Sequence, residues 1–352
     1  MKAKYRLVRS PAPGWFSALI PLLAIVVTFM ITSVFILIAG ANPFEAYYYF
    51  LISPLTSKVS ILEVLVKSTP LLLTGAAVTI AFASGYWNIG AEGQLYAGAV
   101  AAAFLGTVLV GVPQPLAILI MLVGGFIAGM LWGLVPALLK VRLSVDEVVT
   151  TLLMNYIALY MVSALLNGPW RDPVTHWPQS PTILATTMMP KLLPPSRQHF
   201  GFIVGLLAVA VVWFILSRTG LGMRMRSVGM GKEAARFMGV KVNRTMFITA
   251  LISAGIAGLA GVTEVAGIHF HLIDAISPGY GYSGIIAATL GNLNPIGAGV
   301  ASLFLGLIST GSQAVSRSLG VPSFLGDVVQ ATLLLVTLAM FLLRNYTLRR
   351  VE

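Results

Sequence analysis

The chain has 352 residues, 57% of them hydrophobic and only 9% charged, with a mean hydropathy of +0.91. A soluble domain carries about 25% charged residues and cannot hide so much apolar surface, so the composition excludes one. The net charge of +11 lies between apolar runs, where the positive-inside rule accounts for it without nucleic acid, and the absence of cysteine excludes disulfides and thiolate metal sites.

In chain order, "MKAKYRLVRSPAPGWF" is basic and leads into an apolar run reaching Gly40, too long for a cleaved signal sequence and therefore a first span. Reading apolar runs against Gly, Pro and charge clusters gives about ten segments: 15–40, 61–84, 89–110, 116–139, 147–167, 200–217, 245–268, 279–293, 296–315 and 323–343. The runs are continuous rather than alternating, which favours helices over a barrel. The expected fold is an all-α polytopic membrane protein of about ten transmembrane helices, a single transmembrane domain over 1–352. The eighth segment is short and Gly-rich and reads as broken or re-entrant.

With both termini placed in the cytoplasm, the inside segments hold 16 of the 22 basic residues, among them Lys2, Lys4, Arg6, Arg9, Lys140, Arg142, Arg344, Arg349 and Arg350. Two connections stand out. The Pro- and Trp-rich stretch 168–199 falls outside and reads either as an extracytoplasmic docking surface or as a passive loop. The stretch 217–244 falls inside and carries seven basic residues against the single acid Glu233. Within it, "GKEAARFMGV" reads as a short helix after flexible glycines, ending near Gly239. Ala234, Phe237 and Met238 share one apolar face by spacing, which suits either a groove on a partner or an anionic lipid surface. "TALISAGIAGLAGV" brings small residues, Ala254, Gly255 and Gly258 among them, to spacings that let helices approach closely.

The sequence lacks enzyme signatures. The nearest phosphate-loop match, "GMGKE" at 229–233, has Glu233 where Ser or Thr is required, no upstream glycine and no preceding strand. His269 and His271 are two apart, poor ligand spacing on a helix, and are expected at an outer helix end. Asp146 and Glu147 open a segment, where a helix amino terminus favours acids. Glu92, Glu264 and Asp274 lie in or near spans, where a charge costs about 2.5–3.5 kcal/mol at the helix centre.

"NIGAEGQ", Asn88 to Gln94, has two readings. Locally, Asn88 caps a new helix and Glu92 favours its dipole. Alternatively, Asn88, Glu92 and Gln94, with Asn155 and Glu264 from other spans, line a substrate pathway, since broken segments at membrane depth are tolerated where they line a cavity or pack on protein.

"YWNIGAEGQLYAGAVAA" resembles a signature of permease subunits of bacterial ATP-binding-cassette (ABC) importers for nucleosides and simple sugars, within the ribose and branched-chain amino acid permease superfamily. "DEVVTTLLMNYIALY" from Asp146, "RSVGMGKEAARFMGV" from Arg226 and "GYGYSGIIAATLGNLNPIGA" from Gly279 are similar too, so the resemblance runs from about residue 60 to the last span. The chain departs from many relatives at Gly231 and Lys232, where they carry an Asn-Pro-type dipeptide, and at Tyr86 and Trp87, where they carry Phe.

The resemblance implies two pseudo-repeated halves, a second permease chain as homo- or heterodimer partner, cytoplasmic ATPase subunits that bind ATP-Mg, and an extracytoplasmic binding lipoprotein. It implies no cofactor and no ATPase site in this chain, and residence in the bacterial inner membrane. Gly229, Glu233, Ala234, Arg236, Phe237, Met238 and Gly239 match the helix that couples ATPase closure to helix rocking. The expected cargo is a nucleoside, with a ribose- or galactose-type sugar as the alternative; a proton-coupled carrier using Glu92 and Glu264, or a passive channel, are the rivals from other classes.

Overall fold

The computed structural model describes the backbone of residues 4–9 and 14–351 and the side chains of residues 19–340. Its helices are α1 (Gly14–Ile38), α2 (Pro43–Tyr47), α3 (Lys58–Ala83), α4 (Ala91–Val108), α5 (Gln114–Leu143), α6 (Glu147–Asn167), α7 (Gly201–Arg218), α8 (Gly220–Met230), α9 (Lys232–Phe237), α10 (Val242–Glu264), α11 (Tyr280–Leu290), α12 (Pro295–Leu319) and α13 (Leu325–Asn345). Two π-turns, Tyr48–Ile52 and Val265–His269, extend the helical runs. A terminal ribbon pairs β1 (Lys4–Arg9) antiparallel with β2 (Tyr346–Val351).

Each of the ten apolar segments coincides with a helix to within a few residues. Among the described residues, seven helices are long and apolar enough to cross a membrane: α1, α3, α5, α6, α7, α10 with its π-turn, and α12. Of the remaining three, α11 is the clearest exception. Its 11 residues reach about 16 Å at 1.5 Å per residue, half of a ~30 Å hydrocarbon core. It ends in a tight turn in which Asn292 and Leu293 take positive φ, and Pro295 starts α12.

The chain divides into two units. In the one made of residues 1–57 and 307–352, α1 packs along α13. The Tyr47 hydroxyl donates to the Phe29 carbonyl beside the Thr32 and Ser33 hydroxyls, satisfying its polar end in apolar surroundings.

In the unit made of residues 58–306, α10 is central and packs on α5, α4 and α3, while α11 packs on α3. Helices α3 and α10 are buried along most of their length. In contrast α5, α6 and α7 keep exposed apolar faces, such as Leu119, Val123 and Ile127 on α5 and Leu153 and Ile157 on α6. Buried polar-apolar helices ringed by exposed apolar ones are what lipid, rather than water, stabilises. The small residues of α10 serve its central place: a Cβ on Gly98 of α4 would run into the Gly258 carbonyl, and Gly129 of α5 lies against Ala254 and Gly258.

The connection 168–199 is ordered by its own polar groups. The Asp172 carboxylate accepts from the Thr175 hydroxyl at 2.6 Å and the Val174 amide at 2.9 Å, and these bonds hold its carboxyl down at about 2. The Leu184 amide donates to Gly106 at the end of α4, and Gln179 bridges to Ile273.

The connection 217–244 differs from the sequence reading in one respect. Residues 220–230, read as flexible glycines before a helix, are themselves helix α8. The Thr219 hydroxyl caps it by accepting from the Gly222 amide at 3.1 Å, and Gly222, Met225 and Val228 are buried. The glycines are there for close approach: a Cβ on Gly222 or Gly229 would meet backbone of α7 or of the α3 end. The following helix α9 and its Gly239 terminus, at φ +82°, lie where the sequence puts them.

Candidate functional site

Helix α3 stops at Ala83, residues 84–90 run non-helically, and α4 restarts at Ala91. The break lies inside the protein. Its end contacts Thr151 and Asn155, four and eight residues into α6, so "NIGAEGQ" sits about 12 Å in from the start of that helix.

Every polar group of the motif finds a partner on another helix or in the motif itself. Asn88 Oδ1 accepts from the Gly90 amide at 3.0 Å and from Gln94 Nε2 at 3.1 Å, while its Nδ2 donates to Gln94 Oε1 and to the Ser253 hydroxyl of α10, both at 2.9 Å. Ser253 in turn donates to the Ala77 carbonyl of α3 at 2.6 Å. Asn155 Oδ1 accepts from the Gly93 amide at 2.8 Å, and its Nδ2 donates to the Ile89 carbonyl and the Tyr282 hydroxyl.

Asn88 is therefore not the helix cap expected from the sequence. The cap residue is Gly90, which has no side chain to offer, and the free amide of Gly93 in the first turn is satisfied from α6 by Asn155. The Asn88 side chain, committed to Gln94, Ser253 and the Gly90 amide, has no acceptor left for the first-turn amides of α4.

Glu92 does lie in the first turn of α4, and it also serves a second helix. Its Oε2 accepts from the Gly281 amide of α11 at 2.6 Å, with the Ser277 hydroxyl and the Gly279 amide directed at the same carboxylate. Two helix amino termini thus face one buried acid, which is only 7% exposed. Each terminus is worth up to about 2 kcal/mol to a partly buried anion, against a cost of about 2.5–3.5 kcal/mol for a charge at membrane depth. The two termini and the hydrogen bonds together offset part of that cost.

Of the candidate pathway residues, Asn88, Gln94 and Asn155 join in this network with Glu92 at its edge. Glu264 is separate, at the end of α10. The π-turn Val265–His269 brings His269 Nε2 to 3.6 Å from its carboxylate, a five-residue spacing that an α-helix would put on different faces. His269 closes that helix, as expected. Thr151, Ser253, Ser277, Gly281 and Tyr282 are the participants that sequence reasoning missed; residues of these types recur throughout the chain and gave no signal.

Asp146 and Glu147 take the structural role expected of them. Asp146 Oδ1 accepts from the Val148 amide at 2.7 Å to cap α6, and Glu147 is buried in an ion pair with Lys140.

At the basic connection, Glu233 and Arg236 form an exposed ion pair at 2.9 Å, a contact worth little. Ala235 is buried and holds α9 to the body, while Phe237 is 95% and Met238 67% exposed. Gly229 is set apart from this face, pressed on the carbonyl of Ala83.

Residues 60–342 match the family described as the permease component of the branched-chain amino acid transport system. Among similar proteins are a guanosine ABC transporter permease of Bacillus subtilis, 32% identical over 93% of this chain and 94% of its own, and a glucose ABC transporter permease of Haloferax volcanii, 30% identical over 96% and 91%. A nucleoside ABC transporter permease of Lactococcus lactis is 28% identical over 92% of both chains. The matched region takes in both helix breaks and the basic connection, and its apolar helices make the protein a multi-pass inner-membrane one. The chain belongs to the family of permease components of the branched-chain amino acid transport system.

Proposed function

We propose that this chain is the transmembrane permease of an ABC importer that takes up nucleosides, by alternating access driven by partner ATPase subunits. The observation that carries the cargo class is the similarity, over nine-tenths of both chains, to permeases named for guanosine and for nucleosides. A simple sugar is the second reading, favoured by the equally extensive similarity to a glucose permease. Reconstituted with its ATPase and binding protein, the chain should accumulate guanosine in an ATP-dependent way and glucose poorly. The reverse preference would select the sugar reading, and uptake by the chain alone under a pH gradient would select a proton-coupled carrier. Purified by itself the chain should not hydrolyse ATP.

In this reading all ten apolar helices are crossings or half-crossings, both termini are cytoplasmic, and residues 1–352 work as one permease. Pseudo-repeated halves are supported by the central helices: α3 breaks before α4, α10 breaks before α11, and each restarted helix packs on the long helix of the other pair. Discontinuous helices meeting at mid-depth are the usual construction of a transport site. Asn88, Glu92, Gln94, Asn155 and Glu264 then border the pathway, and the connection 168–199 meets the binding protein. A second permease chain completes the transporter. No cofactor is needed in this chain, since ATP-Mg belongs to the ATPase.

Glu92 has a discriminating test. Glu92→Gln keeps an acceptor for the Gly281 amide, whereas Glu92→Ala strands it at about 1–3 kcal/mol. If Glu92 serves to join α4 to α11, the Gln variant transports normally and the Ala variant loses thermal stability. Loss of transport in a stably folded Gln variant assigns its charge to the pathway instead.

A further inference from the structure

A cavity of about 410 Å3 lies between α8 and the start of α10, with Met238 at the end of α9 forming part of its wall. Arg224 of α8, Lys241 just before α10 and Arg244 in its first turn line this cavity, and no acidic residue does. All three are exposed, and among the described residues none of them forms an ion pair.

Three like charges from separate elements repel across a shared space unless an anion offsets them. The fold increases the imbalance. Helix α10 starts with no side-chain cap and no acid in its first turn, although its amino terminus favours negative charge. A phosphate-bearing anion satisfies all of these groups at once.

The other walls distinguish the source of that phosphate. Leu221, Val240 and Ile248 are apolar, and Ile248 lies a turn beyond Arg244 along α10, one of the helices apolar enough to span a membrane. A site lined by three exposed cations and by half-buried Leu221, Val240 and Ile248 fits an amphiphile, not a free ion. We infer that the cavity between α8 and α10 binds the phosphate headgroup of an anionic phospholipid, whose glycerol and first methylenes lie along Leu221 and Ile248. Such a lipid would join α8 to α10 on either side of α9 and hold that helix in position.

The test uses the full chain, purified in mild detergent and exchanged with phosphatidylglycerol or phosphatidylcholine, with bound lipid read by native mass spectrometry. Phosphatidylglycerol should be retained selectively and resist millimolar inorganic phosphate. Lys241→Gln with Arg244→Gln should lower its occupancy roughly tenfold, given the attraction of each basic residue to anionic lipid. Arg224→Gln should act in the same direction from the other wall. Arg226→Gln with Lys232→Gln, on the same connection but outside the cavity, should change it little.

Equal loss in that control pair would overturn the site in favour of diffuse surface attraction, and equal retention of phosphatidylcholine would remove the headgroup requirement. Displacement by inorganic phosphate would make it a free-anion site. Exclusion of the lipid by bound ATPase subunit would assign the cavity to the protein interface.

Discussion

Phe237→Asp should leave the helical body folded and abolish ATP-dependent transport. The side chain is 95% exposed, so its replacement removes no internal contact. Helix α9 is anchored from its other side by buried Ala235 and closed by Gly239, so the fold holds it without Phe237. An exposed Phe beside exposed Met238, on a basic connection, is an apolar anchor waiting for a groove. Aromatic anchors at the centre of an interface commonly cost 2 kcal/mol or more when removed, which is roughly 30-fold in affinity, and a buried unpaired carboxylate adds to that. The measurement is co-purification of the ATPase subunit with the variant, alongside uptake in vesicles. The double change Glu233→Gln with Arg236→Gln removes only an exposed ion pair and should weaken assembly little. A Phe237→Asp complex that assembles and transports normally would refute the groove-binding role of α9.

The contrast between α9 and its neighbour α8 explains what the sequence made legible. The apolar runs announce themselves by composition, and for the seven helices long enough to cross a membrane lipid imposes both length and composition on each separately, with no reference to the others. The face of α9 was equally local, a matter of spacing over five residues. Helix α8 was hidden because Gly220, Gly222 and Gly229 look like a flexible run, and only contacts with α7 and the α3 end turn Gly222 and Gly229 into packing residues. The same distinction applies at the centre. That Glu92 begins a helix could be read from its neighbours, but its bond to Gly281 spans 189 positions of sequence, and the hydrogen bond that the Gly93 amide donates to Asn155 Oδ1 spans 62. The π-turn that brings His269 to Glu264 has no pattern in a 3.6-residue period.

These distant bonds also bear on how the protein moves. Asn88, Ser253 and Ala77 link α4, α10 and α3 through one chain of hydrogen bonds. Glu92 and Asn155 then bind α11 and α6 to the same break. A network that joins five helices resists independent sliding, so rearrangement of these helices would proceed with the broken segments carried along as a body. Polar groups inside a membrane protein specify such a unit because each alternative pairing would leave a buried donor unsatisfied.

Close backbone packing enforces that unit more strongly than the polar network does, and Gly98→Ala tests it. A single methyl group added at Gly98 of α4 would penetrate the backbone carbonyl of Gly258 on α10. The obstacle is main chain, which cannot turn aside as a side chain does. Gly258 itself has no room to retreat, because its other side rests on Gly125 and Gly129 of α5. Relief therefore requires α4, α10 and α5 to separate, breaking the Asn88 to Ser253 bond as well. Overpacking usually costs about 1–3 kcal/mol, and a backbone obstacle on both sides puts this variant at or above the top of that range. At about 2–4 °C per kcal/mol for a chain of this size class, the detergent-solubilised protein should melt roughly 5–10 °C lower, with reduced yield. Gly220→Ala makes the same chemical change at the start of α8, where nothing lies within 4 Å of the added methyl group, and should leave the melting temperature unchanged. If Gly98→Ala melts like its Gly220→Ala control, the three-helix contact is looser than these distances require and the body can no longer be rigid about α10.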